Sequence, residues 1–191
     1  MASARLGILG GTFDPVHNAH LAMARAALRA LALDRVLFLP TGTTRYRPPA
    51  VASGEHRLAM LRLALDDARF GIDARELAPQ ASGYTVDTLR ALRAEQPGGE
   101  LVLLMGADQY AKLDTWHRPE EVKRLARIAV FARPGVDFDH PLQQEDVKLV
   151  PMQPLAVSAT EVRRRAAAGE ALDSLVPPAV ADYIARHRLY S

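Results

Sequence analysis

Hydrophobic positions in this chain gather in short unbroken runs, separated by longer stretches in which they recur every three or four residues. The runs fall at Leu6 to Leu9, Val36 to Leu39, Leu101 to Met105, Ile128 to Ala132 and, more weakly, Val147 to Val150. Such apolar runs suit strands that are covered on both faces. Between them the period changes. His20 to Leu33 is built from Ala, Leu, Met and Arg, all strong helix formers. His56 to Ala68 carries Leu58, Leu61 and Leu65 at helical spacing, and Val86 to Ala94 repeats the pattern with Leu89 and Leu92. Two more helices are expected, at Thr160 to Ala168, stopped by Gly169, and at Pro178 to His187, opened by a proline pair.

Strands alternating with helices imply βαβ units. The fold expected is therefore α/β, a single Rossmann-like domain over residues 1–191 with a mostly parallel sheet and helices on both faces. A length of 191 residues and a hydrophobic fraction of 49% are enough for one domain with a real core. The absence of cysteine excludes disulfides and thiolate metal sites. No apolar run approaches the roughly 18 residues of a membrane span, and MASARLGILGG does not read as a signal peptide. The expectation is a cytoplasmic protein without a membrane partner. The net charge of +2, with basic residues interspersed among acids, gives little footing to a nucleic acid polymer. Local arginines can still grip a polyphosphate. The segment Thr41 to Gly54, rich in Thr, Arg, Pro and Gly, reads as a mobile loop.

The chemistry concentrates in two places. GILGGTFDPVHNAH, residues 7–20, ends a strand in Gly10-Gly11 and then enters a helix. That junction is where open α/β sheets bind phosphates. It is neither of the common phosphate loops: Leu9, Thr12 and Phe13 stand where G-x-G-x-x-G needs glycine, and G-x-x-x-x-G-K-[ST] occurs nowhere. The weight falls on His17 and His20, three residues apart, which can aim two imidazole donors at one point beside a positive helix end. By spacing alone, two solvated histidines on a first turn is an equal reading. A metal site with Asp14 as third ligand is weaker, because no other His has telling spacing. The second place is VSATEVRRR, residues 157–165. Ser158 and Glu161 form an S-x-x-E capping box, which requires no ligand. Ser158, Thr160 and Arg163 at one helix start also suit a phosphate chain.

Together the two motifs carry more than either alone. GGTFDPVHNAH and SATEVR resemble the paired signatures GGTFDPxHxGH and SSTxxR of the nucleotidyltransferase superfamily of α/β phosphodiesterase type. Within it the chain is most similar to the bacterial nicotinate-nucleotide adenylyltransferases. Gly83-Tyr84-Thr85 before a helix, MGADQYAKLDTWHRPEEV at 105–122 and FARPG at 131–135 sit in the family's order. The resemblance implies adenylyl transfer from ATP, with Mg²⁺, to nicotinate mononucleotide in NAD biosynthesis. It implies that His17, His20 and Arg163 are catalytic and that Gly10, Gly11, Thr12, Gly106, Asp108, Ser158 and Thr160 bind ATP. Tyr84, Thr85, Trp116 and Arg133 would bind the acceptor, the first two through backbone amides and Trp116 by stacking on the pyridine. Each middle residue also has a plainer reading: Trp116 as a core aromatic, Asp108 as a helix N-cap, Tyr84 as a cover for the sheet. The chain departs from the family at Ala19, at Ala159 and in the loop TTRYRPP, where Arg45 or Arg47 is expected to supply positive charge. Phosphopantetheine or nicotinamide mononucleotide as acceptor, and a nucleotide sensor without turnover, are the competing readings.

Overall fold

The computed structural model describes residues 4–42, 49–132, 147–153 and 155–191. Six strands form one sheet in the order β3-β2-β1-β4-β5-β6, and every neighbouring pair is parallel. They are β1 (Arg5–Gly11), β2 (Arg35–Pro40), β3 (Phe70–Ile72), β4 (Glu100–Gly106), β5 (Arg127–Ala132) and β6 (Val147–Pro151). Seven helices are described: α1 (Asn18–Ala30), α2 (Gly54–Ala64), α3 (Thr85–Glu95), α4 (Ala107–Tyr110), α5 (Pro119–Leu125), α6 (Ala159–Ala167) and α7 (Pro178–His187). The α/β expectation with helices on both faces holds. One core joins α1, α2, α6 and α7 to one face of the sheet, through Leu21, Leu28, Met60, Leu61, Val162, Val180 and Ile184. A second joins α3 and α5 to the other face, through Val86, Leu89, Leu92 and Val122.

The strand order fixes where a ligand can bind. From β1 the chain steps outward to β2 and β3, then returns across the sheet to β4 and proceeds the other way. The order therefore reverses between β1 and β4, and the crevice beyond their carboxyl ends is the binding position of a doubly wound sheet. Those ends are Gly10-Gly11 and Gly106.

Several boundaries differ from the sequence reading. Helix α1 begins at Asn18, two residues earlier than expected, because extended His17 serves as its N-cap. Helix α2 stops at Ala64, not Ala68, since Leu65 is already extended. Strand β3 and helix α5 were not anticipated. The strand is only FGI, and α5 is a seven-residue helix whose opening Pro119 follows Arg118 at φ 54°. Gly169 ends α6 as expected, at φ 67°.

Candidate active site

Beyond β1 the chain makes the turn that holds the first motif. At Gly10 an added Cβ would meet nothing within 4 Å, so the end of the strand lies open to the crevice. At Gly11 the same atom would sit 3.1 Å from the Phe13 ring, which packs over the turn. Phe13 adopts φ 48°, unusual for a bulky residue, and is buried against Phe38 at 5.7 Å between ring centroids. Its edge meets the His20 ring at 4.9 Å.

His17 and His20 stack, with centroids 3.7 Å apart and planes 20° from parallel. The His17 backbone N–H donates to His20 Nδ1 at 3.2 Å. Nδ1 is therefore the acceptor, and the neutral ring carries its proton on Nε2, which leaves Nε2–H as its donor. His17 is buried, and its Nδ1 has no partner among the described residues. Burial lowers the His17 pKa to about 4, and burial together with the His17 charge lowers His20 well below its ordinary value. Both rings are thus neutral near pH 7 in the unliganded protein, and act as hydrogen-bonding groups rather than fixed cations.

The second motif arrives beside the first. Ser158 caps α6, its Oγ accepting from the Glu161 N–H at 3.2 Å. The reciprocal half of the capping box is replaced, because the Glu161 carboxylate pairs with Arg164 and Arg165. Arg163 projects toward the glycine turn and donates Nη1–H to the Asp14 carbonyl oxygen at 2.6 Å, with Thr160 Oγ1 3.4 Å from its Nη2. Ser158 and Thr160 remain exposed. Two motifs about 140 residues apart in sequence thus meet at one point.

Beneath that point lies a buried ionic framework that the sequence reading did not find. Arg57 on α2, 4% exposed, donates Nη1–H to the Thr12 and Thr41 carbonyls at 2.6 and 2.9 Å, tying the ends of β1 and β2 together. Its neighbour Asp14, 5% exposed, accepts from the backbone N–H groups of Val51 and Ala52 at 2.7 and 3.1 Å. It also accepts from the Tyr190 hydroxyl at 2.8 Å. Asp14 is therefore engaged by the protein and not presented as a metal ligand. Among the described residues no group of three His, Asp or Glu side chains is placed to hold a metal ion. Arg57 had a signal in the sequence: it lies four residues before Leu61, on the helix face that is otherwise apolar.

Across the crevice, Gly106 is the N-cap of the short α4, and exposed Asp108 stands in its first turn. Asp108 is thus not the cap. Tyr84 is the N-cap of α3, and its ring stacks on His117 at 4.2 Å, which brings the neighbouring Trp116 to the start of that helix. Trp116 is half-buried and packs partly on the second core. The Tyr84 N–H is taken by Ser82 Oγ at 3.2 Å, whereas Thr85 is the first residue of α3, where the amide has no partner within the helix. Arg45, Arg47 and Arg133 lie outside the described residues.

A stacked histidine pair, an arginine, bare glycine backbone and the starts of α1, α3, α4 and α6 thus gather around one strand-order reversal of an α/β fold. A family model described as cytidylyltransferase-like matches residues 8–165. Curated relatives narrow the class. The probable nicotinate-nucleotide adenylyltransferase of Thermomicrobium roseum is 42% identical, over 98% of this chain and 92% of that protein. The one from Bordetella pertussis is 40% identical over the whole of both. This chain belongs to the nicotinate-nucleotide adenylyltransferase family of nucleotidyltransferases. Its fold matches the Plasmodium falciparum nicotinic acid mononucleotide adenylyltransferase complexed with NaAD, with a TM-score of 0.83, 16% identity and coverage of 98% and 97%. No described helix is long and apolar enough to cross a membrane.

Proposed function

We propose that this protein transfers the adenylyl group of ATP to nicotinate mononucleotide, giving nicotinate adenine dinucleotide and pyrophosphate in NAD biosynthesis. The observation that carries the reading is the meeting of the two motifs at Asp14 and Arg163 beside the stacked histidines. The family membership supports the same chemistry.

The acceptor's 5′-phosphate is an anion at neutral pH and attacks the α-phosphorus of ATP in line, with pyrophosphate leaving. No serine, cysteine or strong base is needed. Catalysis rests on position and on placing donors where negative charge develops. The Nε2–H of His20 points a neutral donor at the α-phosphate, and His17 lines the same helix start. Gly10 lets the phosphates approach the backbone. Arg163, with the hydroxyls of Ser158 and Thr160 and the amides at the start of α6, takes the β- and γ-phosphates. Gly106 and Asp108 border the adenosine. Thr85 offers its amide to the pyridine carboxylate, and the Tyr84 amide can join only by releasing Ser82. Trp116 stacks on the ring. Mg²⁺ enters as part of the ATP substrate and neutralises phosphate charge. A cytoplasmic location accords with this metabolism.

The deciding experiment incubates the protein with MgATP and, separately, nicotinate mononucleotide, nicotinamide mononucleotide and phosphopantetheine, and weighs the products by mass spectrometry. Nicotinate adenine dinucleotide as the dominant product is expected. A faster reaction with either other acceptor, or no pyrophosphate release with any, overturns the reading.

A further inference from the structure

Asp14 sits inside the turn that follows β1, and its carboxylate is held by three donors from two distant parts of the chain. Two of its donors are the backbone amides of Val51 and Ala52, at the entry to α2. The third is the hydroxyl of Tyr190, 176 residues further along, in the segment that follows α7. That segment is seated firmly. Leu189 and Tyr190 pack against the core on the α1 side of the sheet, and the Leu189 N–H donates to the Ile184 carbonyl at 3.0 Å. Both Arg188 and Tyr190 lie in the left-handed region, at φ 49° and 70°, which non-glycine residues adopt only where their surroundings enforce it. The backbone takes this unfavourable course, and the course delivers the hydroxyl to Asp14. Asp14 in turn offers its carbonyl oxygen to Arg163, whose Nη1 lies 4.0 Å from the Asp14 carboxylate. Buried Arg57 supplies the charge that balances the carboxylate.

The geometry points to Tyr190 as a positioning residue for adenylyl transfer, one that touches no substrate but locks Asp14 so that the glycine turn and Arg163 hold their reactive arrangement. Without the hydroxyl, Asp14 Oδ1 keeps only the longer bond from Ala52, and the carboxylate can swing toward Arg163, diverting the guanidinium from phosphate. Burial pushes the Tyr190 hydroxyl above its usual pKa, so it remains a donor at every working pH. The inference deepens the adenylyl-transfer reading and rests on it for its kinetic arm only.

Tyr190→Phe removes the hydroxyl and leaves the ring in the core. A hydrogen bond to a charged acceptor corresponds to a roughly ten- to hundredfold change in an opening equilibrium. Two measurements are made on the intact protein: steady-state kcat and KM for ATP, and amide hydrogen exchange at residues 10–16, 51 and 52. The expected result is kcat lower by about tenfold or more together with a raised KM for ATP, as Arg163 leaves the phosphates, and faster exchange at Val51 and Ala52 while the sheet amides stay protected. A purely structural hydroxyl would instead accelerate exchange across the whole molecule and leave kcat per folded protein unchanged, which overturns the proposal. Arg163→Lys serves as the second variant: positioning through Asp14 predicts that adding Tyr190→Phe to it costs little further kcat, and full additivity overturns it. Should the wild-type protein transfer no adenylyl group, the functional reading fails by itself, and local exchange still decides whether Tyr190 holds the turn.

Discussion

The residues of the first motif divide into those that pack and those that wait for a ligand, and the glycines show the division. An added Cβ at Gly7 would lie 2.7 Å from Leu33 Cδ1 and within 3.2 Å of Leu104, so Gly7→Ala overpacks the core and should cost roughly 1–3 kcal/mol in urea unfolding. At Gly10 the space is open. Gly10→Ala should therefore unfold like the wild type but bind ATP more weakly, because the methyl group occupies the phosphates' approach. An unaltered ATP affinity by calorimetry would place the nucleotide elsewhere. For His20→Ala, a loss of turnover on the order of 10² to 10³ with a smaller change in ATP affinity is expected, as for removal of one preorganised donor. Since the ring is neutral and donates through Nε2, His20→Asn should recover part of the loss. Recovery of nothing would mean that the transition state needs an imidazolium.

At the scale of elements, α6 is both a cap and a clamp. Removing the cap alone, by Ser158→Ala, should lower stability by about 1 kcal/mol. Arg163→Ala should do more than weaken ATP binding, because it also deletes the bond to the Asp14 carbonyl. A stability loss of roughly 1–3 kcal/mol accompanying the weaker binding is expected from denaturant titrations with and without ATP. A binding loss with wild-type stability would detach α6 from the turn. On the opposite face, the His117 stack holds the Trp116 segment at the start of α3. Trp116→Ala should weaken acceptor binding by roughly 1 kcal/mol or more while sparing ATP. Equal losses for both ligands would make Trp116 a core residue only. These elements were legible to different degrees. α7 was delimited to the residue because a proline pair opens it, and α6 to within one residue at each end because Ser158 and Gly169 bracket it. β3 was not, since three residues with a central glycine carry no usable period. α5 was hidden because only Val122 of its seven residues is buried.

For the whole molecule, the parallel sheet and the convergence of its two motifs were readable because each strand is a local apolar run and each motif a local cluster. The buried framework was not. Tyr190 bonds to Asp14 across 176 residues and Arg57 reaches back to the Thr12 carbonyl across 45, and nothing local to Tyr190 indicates an aspartate in the turn after β1. The framework and the histidines also set how global stability answers to pH. His17 titrates at about 4 when folded and at 6.5 when unfolded, so below pH 6.5 the unfolded chain binds more protons. Stability should be flat above that value and fall as pH drops toward 4, by about 2 kcal/mol between pH 7 and pH 5 from this residue. Urea midpoints for the wild type and His17→Gln would check it: the variant should lose this part of the slope, and identical slopes would place His17 in water.

The uncharged state of the stacked pair has a calorimetric consequence. A triphosphate brought beside His17, whose Nδ1 has no partner among the described residues, favours the protonated ring, so nucleotide binding should draw a fraction of a proton from the medium. The observed heat of association then contains the ionisation heat of whatever buffer surrenders that proton. ATP titrations in Tris and in phosphate at pH 6 should give different apparent enthalpies, converging as the pH is raised to 8 and the proton becomes too costly to take up.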